Sequence, residues 1–201
     1  MPLERWMPTW NRDAYLSSLQ RAGYQVDLLV NEEVSVSFLR TGLVKYDVII
    51  LRTDSFRWEG LDYYCSGEPA TSGARKAFSR EVSSRELRIG ECVGFSALFI
   101  QHNYPANSLR RGLVFTIGSV SGGLASVFLA AGSAAFIGYY HEFSLGWGRM
   151  DCFSEKLLAY LSEGRSVRDS VVQLDIYIRV GHGNTADWPT VYWIGDGTFK
   201  I

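Results

Sequence analysis

Two apolar runs, each closed by small polar residues, constrain this chain most. Tyr46-Asp47-Val48-Ile49-Ile50-Leu51-Arg52-Thr53 stops at Asp54-Ser55, and Leu113-Val114-Phe115-Thr116-Ile117-Gly118 stops at Ser119-Val120-Ser121-Gly122-Gly123. Continuous rather than alternating apolar residues mark strands buried on both faces, as in parallel sheets covered by helices. In open sheets of this kind, ligands and reacting groups gather just beyond the carboxyl ends of the strands. Chemistry is therefore expected at Asp54 and Ser55 and at Gly118 to Ser121.

The remaining segments fit the same architecture. Asn11 is a plausible N-cap for a helix with Ala14, Tyr15, Leu16, Leu19 and Ala22 at helical spacing, stopped by Gly23. Tyr24 to Val30 is expected as a strand, Val34 to Arg40 as a short helix closing at Gly42. Residues 58–95 change character: Leu61 to Cys65 and Glu86 to Ile89 are strand-like pieces of an antiparallel excursion. Within it, the basic stretch Arg75 to Arg88 alternates with Glu81 and Glu86 and is expected as a solvated hairpin face. Ser96 to Gln101 reads as a short helix. Beyond Gly122, Leu124, Val127, Phe128 and Ala131 share a helical face, and Ala134 to Tyr139 forms a strand. Asp151 is expected to cap a helix carrying Phe153, Leu157, Leu158 and Leu161. Ser166-Val167-Arg168-Asp169 opens another with a capping-box pattern, and Val191 to Ile194 is a last short strand. The predicted fold is a three-layer α/β sandwich, one domain over residues 1–201, with a mostly parallel central sheet and helices on both faces.

Composition narrows the partners. With 47% hydrophobic and 20% charged residues the chain is globular rather than disordered. A formal net charge of -1 and no basic run interleaved with aromatics argue against nucleic acid. Cys65, Cys92 and Cys152 are odd in number and lack paired zinc spacing, so they are expected as free thiols in a reducing cytoplasm, with no metal. His102 and His182 stand in loop-like surroundings without nearby carboxylate spacing, which also argues against a metal site. No cofactor is expected. The N-terminus lacks the apolar core of a signal peptide. The apolar stretch Leu113 to Tyr140 is broken by glycines and serines into strand, helix and strand rather than a membrane span.

The matching residues are Ala22-Gly23-Tyr24 with Val26, Val34-Ser35-Val36, Phe38-Leu39, Lys45 to Thr53, and Ser66-Gly67-Glu68-Pro69. They continue from Thr116-Ile117-Gly118 through Ala125, Phe128, Ala131-Gly132, Ala135 and Ile137-Gly138, and into the Ser166-Val167-Arg168-Asp169-Ser170-Val171 helix opening. In order and spacing, over about residues 11–175, they resemble the caspase-like clan of caspases, gingipains, clostripain and CHAT domains, nearest to the prokaryotic clostripain-related branch. That resemblance implies acyl-transfer chemistry by a His at one strand tip and a Cys at the next. Carried over by position, Asp54 stands at the His and Ser119 at the Cys, with Ser55 where a companion Gly is common. A serine hydroxyl needs a base to become a nucleophile, and a carboxylate does not return a proton to a leaving amine as imidazole does. Residues of a dyad act as a unit, so replacing both removes most of the rate.

The resemblance therefore implies a catalytically inactive binding or oligomerisation module, its partner a protein or peptide or a second copy in a homodimer. Binding contacts are expected at Ser55, Gly118, Glu68 and Tyr139, among the aromatics that flank the tips: Trp58, Tyr63, Tyr64, Tyr139, Tyr140, Phe143 and Trp147. Asp54 is expected to pair with Arg52 or Arg57. The alternative is a peptidase or esterase in which Ser119 or Ser121 is activated by His141, although Ser121-Gly122-Gly123 also suits a helix cap. One further departure concerns the start of the chain. The fold normally opens with a central strand, yet Met1 to Trp10 holds two prolines and no apolar run. Either that strand is absent or another segment, from this chain or a partner, fills its place, since unpaired strand edges need cover.

Overall fold

The computed structural model describes residues 12–118, 122–139, 147–182 and 190–201. The described residues begin with helix α1 (Arg12–Arg21) and continue to short helix α2 (Val36–Thr41), the latter started by Ser35, whose Oγ accepts the Phe38 amide at 3.1 Å. Strand β1 (Val48–Arg52) follows. A second unit comprises β2 (Ser55–Trp58), β3 (Leu61–Cys65), α3 (Ser72–Ala77), α4 (Ser79–Ser83), β4 (Leu87–Ile89) and β5 (Val93–Ser96). The chain then returns through α5 (Ala97–Asn103), β6 (Leu113–Ile117), α6 (Gly122–Ala130), β7 (Ala135–Tyr139), α7 (Trp147–Ser162), α8 (Val167–His182) and β8 (Val191–Gly195).

The central sheet has the order β1-β6-β7-β8. β1, β6 and β7 are parallel, with Val48 opposite Leu113 and Leu113 opposite Ala135; β8 runs antiparallel to β7. Alternate residues of each strand enter two separate cores. Leu113, Phe115, Ile117, Ala135, Ile137 and Tyr139 pack with Tyr15 of α1, Phe153, Leu157 and Leu161 of α7 and Val171 and Leu174 of α8. Val114 and Phe136 pack on the other face with Leu39 of α2, Phe99 and Ile100 of α5 and Leu124 and Phe128 of α6. This is a three-layer α/β fold with a mostly parallel sheet. The continuous apolar runs are explained by it: β6 and β7 are buried at every residue.

The antiparallel excursion forms its own sheet, in the order β2-β3-β5-β4. Its core end is tied by a Cys65–Cys92 disulfide, the Cα atoms 5.7 Å apart, and only Cys152 is a free, exposed thiol among the described residues. The free-thiol reading is thus corrected for Cys65 and Cys92, and cysteine usage gives no support to a reducing compartment. Sequence spacing missed the bond because 27 residues separate the partners and only the β3–β5 pairing brings them together.

Three other local expectations are corrected. The Arg75 to Arg88 stretch is α3, α4 and the start of β4 rather than a hairpin, since Thr71 caps α3 by accepting the Ala74 amide and Glu81 reaches back to Arg40 at 2.7 Å. Asp151 lies inside α7 rather than at its cap. Tyr24 to Val30 takes no regular secondary structure and belongs to no sheet, and Gln25 to Leu28 have no backbone partner among the described residues. A strand exists only through its neighbour, and β1, the edge of the central sheet, is separated from this segment by a groove. No described helix is long and apolar enough to cross a membrane.

Candidate functional site

The register of the central sheet brings the two sequence-predicted tips together. Thr53 donates its amide to the Ile117 carbonyl at 2.9 Å, extending the β1–β6 ladder one residue beyond Arg52. Gly118 lies beside Thr53 so closely that a Cβ there would collide with the Thr53 carbonyl oxygen. Only glycine fits that approach. The described residues reach Gly118; Ser119, Ser121 and His141, together with Tyr140 and Phe143, lie outside them.

Asp54 sits at the half-buried tip of β1. Its Oδ1 accepts the amide of Ser55 at 2.9 Å, and its carbonyl accepts the Cys65 amide at 2.9 Å. Thr53 Oγ1 donates to the Cys65 carbonyl at 2.5 Å. The tip is thereby sewn to the end of β3, where the disulfide also attaches. Ser55 starts β2 opposite Tyr64. Of the two arginines expected beside Asp54, Arg57 binds Asp62 with its Nε at 2.9 Å, and Arg52 turns into the core to bind Asp151.

There Arg52 makes a bidentate pair with Asp151, Nε to Oδ1 at 2.8 Å and Nη2 to Oδ2 at 3.0 Å. Tyr15 donates its hydroxyl to the Asp151 carbonyl at 2.9 Å and lies 3.2 Å from Oδ1. All three side chains are buried, Asp151 at 0% and Arg52 at 1% exposure. Burial first, and then the Asp151 charge, pushes the Tyr15 hydroxyl well above the ordinary tyrosine range. Nearby, Tyr139 is fully buried with its hydroxyl 2.7 Å from Ser154 Oγ, and burial raises its pKa as well. Tyr139 is therefore a core residue under the tips rather than a surface binding contact. The sequence signal for the network was Arg52 itself, an arginine inside an apolar run, which demands a buried anion. Its partner, 99 residues away, could be named only from the fold.

Glu68, another predicted contact, accepts the Val36 amide at 3.3 Å and so serves the first turn of α2. The adjacent Gly67 passes Asn31 so tightly that any Cβ would overlap the Asn31 carbonyl. At the start of α6, a Cβ on Gly123 would lie 3.2 Å from the Tyr64 hydroxyl, and one on Gly122 would lie 3.5 Å from that of Tyr192. Tyr63 and Tyr64 are buried, whereas Trp58 is exposed and stacked under Arg88 at 4.2 Å. His102 is in the last turn of α5 rather than a loop, and its Nδ1 lies 3.0 Å from Glu86 Oε1. It is not without a carboxylate after all. No cluster of metal-ligating side chains occurs among the described residues.

The chain matches no family model, and no curated protein aligns with it.

Proposed function

We propose that this chain is a caspase-like domain that has lost its dyad and acts as a module binding a protein or peptide. One observation carries the reading. At the tip of β1, where the resemblance calls for an imidazole, Asp54 is turned back to accept the amide of the very next residue. A carboxylate oxygen held as a hydrogen-bond acceptor within its own loop ties down the loop, and a carboxylate does not return a proton to a leaving amine as imidazole does. Arg52, the cation nearest in sequence, binds Asp151 in the core. Among the described residues the tip of β1 is anchored by the Cys65 amide and by the close approach of Gly118 to Thr53.

The test is covalent labelling of the wild-type protein by a serine-directed fluorophosphonate, read by intact mass. The expected result is no adduct, and no peptide hydrolysis even after Ser119→Cys alone. An adduct on Ser119 or Ser121 that disappears with His141→Ala would replace this reading by the hydrolase one.

A further inference from the structure

The segment from Arg75 to Arg88 holds five cations and two carboxylates in a chain whose formal net charge is -1. The fold sends the two signs in opposite directions. Glu81 Oε1 binds Arg40 at 2.7 Å, and Glu86 Oε1 accepts the Ser84 hydroxyl at 2.7 Å and lies 3.0 Å from His102 Nδ1. Both carboxylates are thus engaged away from the neighbouring cations. Arg75, Lys76 and Arg80 are exposed and meet no carboxylate among the described residues. The α3–α4 run keeps one helical face turned inward: Arg75 donates its amide to Thr71, Phe78 to Ala74 and Val82 to Phe78. Ala74, Phe78 and Val82, four apart, pack on the core, which leaves Arg75, Lys76 and Arg80 on the side turned to solvent. Lys76 and Arg80, also four apart, repel each other there. Arg85 and Arg88 carry the basic surface onto the second sheet. Arg85 Nη2 donates to the Glu59 carbonyl at 2.7 Å, Arg88 stacks over Trp58, and neither has a carboxylate partner among the described residues. Arg88 stands opposite Gly94, and Gly94 opposite Cys65, the residue that ties down the Asp54 tip. Two strand spacings, about 10 Å, therefore separate Arg88 from that residue.

We propose that the surface formed by α3, α4 and β4 docks an acidic segment of a protein partner, its aspartate and glutamate side chains pairing with these cations. This names the partner class of the binding-module reading and rests on it. Other polyanions fit the surface less well. A lipid surface asks for exposed apolar residues beside the cations, and here Phe78 and Val82 pack on the core. A nucleic acid meets the field of the whole chain, which is net negative. The aromatic on which a base would stack is also taken, since Trp58 lies under Arg88. A short acidic peptide feels chiefly the charges within a Debye length, about 8 Å at physiological salt, and within that reach the α3–α4 face is basic.

The test uses the whole chain and a fluorescein-labelled peptide, Glu-Asp-Glu-Leu-Asp-Glu-Asp-Glu, followed by anisotropy. The peptide should bind at about 50 mM salt and weaken about tenfold or more by about 500 mM. The triple variant Arg75→Glu, Lys76→Glu and Arg80→Glu, all at exposed positions, should lose about tenfold or more in affinity with its melting temperature unchanged. The corresponding glutamine triple should fall between it and wild type. Lys45→Glu, Arg168→Glu and Lys200→Glu together change the net charge equally but elsewhere, and should cost less than about threefold. A peptide with every acidic residue replaced by glutamine should not bind. Four results would overturn the proposal: no binding of the acidic peptide, equal weakening by the two glutamate triples, equal binding of the glutamine peptide, or tighter binding to a DNA duplex or to phosphatidylserine vesicles than to the peptide. None of these readouts involves turnover, so the fluorophosphonate result decides the binding-module reading separately.

Discussion

At the scale of single residues, the decisive arrangement is Arg52 against Asp151 with Tyr15 above it. A buried ion pair adds little net stability over apolar residues of the same shape, yet removing one partner strands a charge in the core. Arg52→Ala or Asp151→Ala is predicted to cost about 3–5 kcal/mol by chemical denaturation, whereas Arg52→Met with Asp151→Leu should recover most of it. The buried tyrosines make a second prediction. Folding raises the hydroxyl pKa of Tyr15, Tyr64 and Tyr139, chiefly by burial, and that of Tyr104 from 10.0 up to about 12. The native state then holds protons that the unfolded chain gives up above pH 10. The contribution of these tyrosines to stability is thus constant below about pH 10 and falls as pH rises beyond it, for Tyr104 until about 12. Denaturant midpoints between pH 8 and 11.5 should decline only above 10, with phenolate absorbance appearing alongside unfolding. Arg52 was read from the sequence only as a partner for Asp54; its true partners Asp151 and Tyr15 were not legible, because nothing local marks two polar groups separated from it by 99 and 37 residues.

Elements were legible where local chemistry decides them. Ser166 was foreseen as a cap and its Oγ accepts the Asp169 amide at 3.1 Å; β6 and β7 follow apolar runs that only a buried strand accommodates. They were illegible where a distant partner decides them. Thr71 and the Arg40–Glu81 pair make helices out of a basic stretch, and Tyr24 to Val30 is no strand because no described strand lies in register beside it. Two predictions belong here. The Cys65–Cys92 bond closes a loop with a sequence separation of 27, for which chain entropy gives about 3.5 kcal/mol. Cys65→Ser or Cys92→Ser should lower stability by about 2–4 kcal/mol, and reducing agent should reproduce the loss in wild type only. Gly118→Ala forces a Cβ into the Thr53 carbonyl, separating the β1 and β6 tips. It should lower the melting temperature more than Gly164→Ala, where a Cβ meets no neighbouring atom and only the positive φ of 78° resists substitution.

For the molecule as a whole, the sequence contained the layer order and the parallel sheet, because strand–helix alternation with two-sided burial allows few other topologies. The resemblance also called for a first central strand that Met1 to Trp10 do not spell, either absent or replaced by another segment, and those residues lie outside the described ones. The site was legible to the extent that Asp54 and Gly118 stand at adjoining tips. Its wiring was not: the turn of Asp54 toward Ser55 and the tie from Cys65 to the tip depend on how the second sheet docks. The most direct measurement of the central claim is turnover of ester and peptide substrates by the wild-type protein beside Ser119→Ala, Ser121→Ala and His141→Ala. A binding module gives four rates equal to the buffer blank. A wild-type rate above the blank that falls with any of the three substitutions would contradict the account.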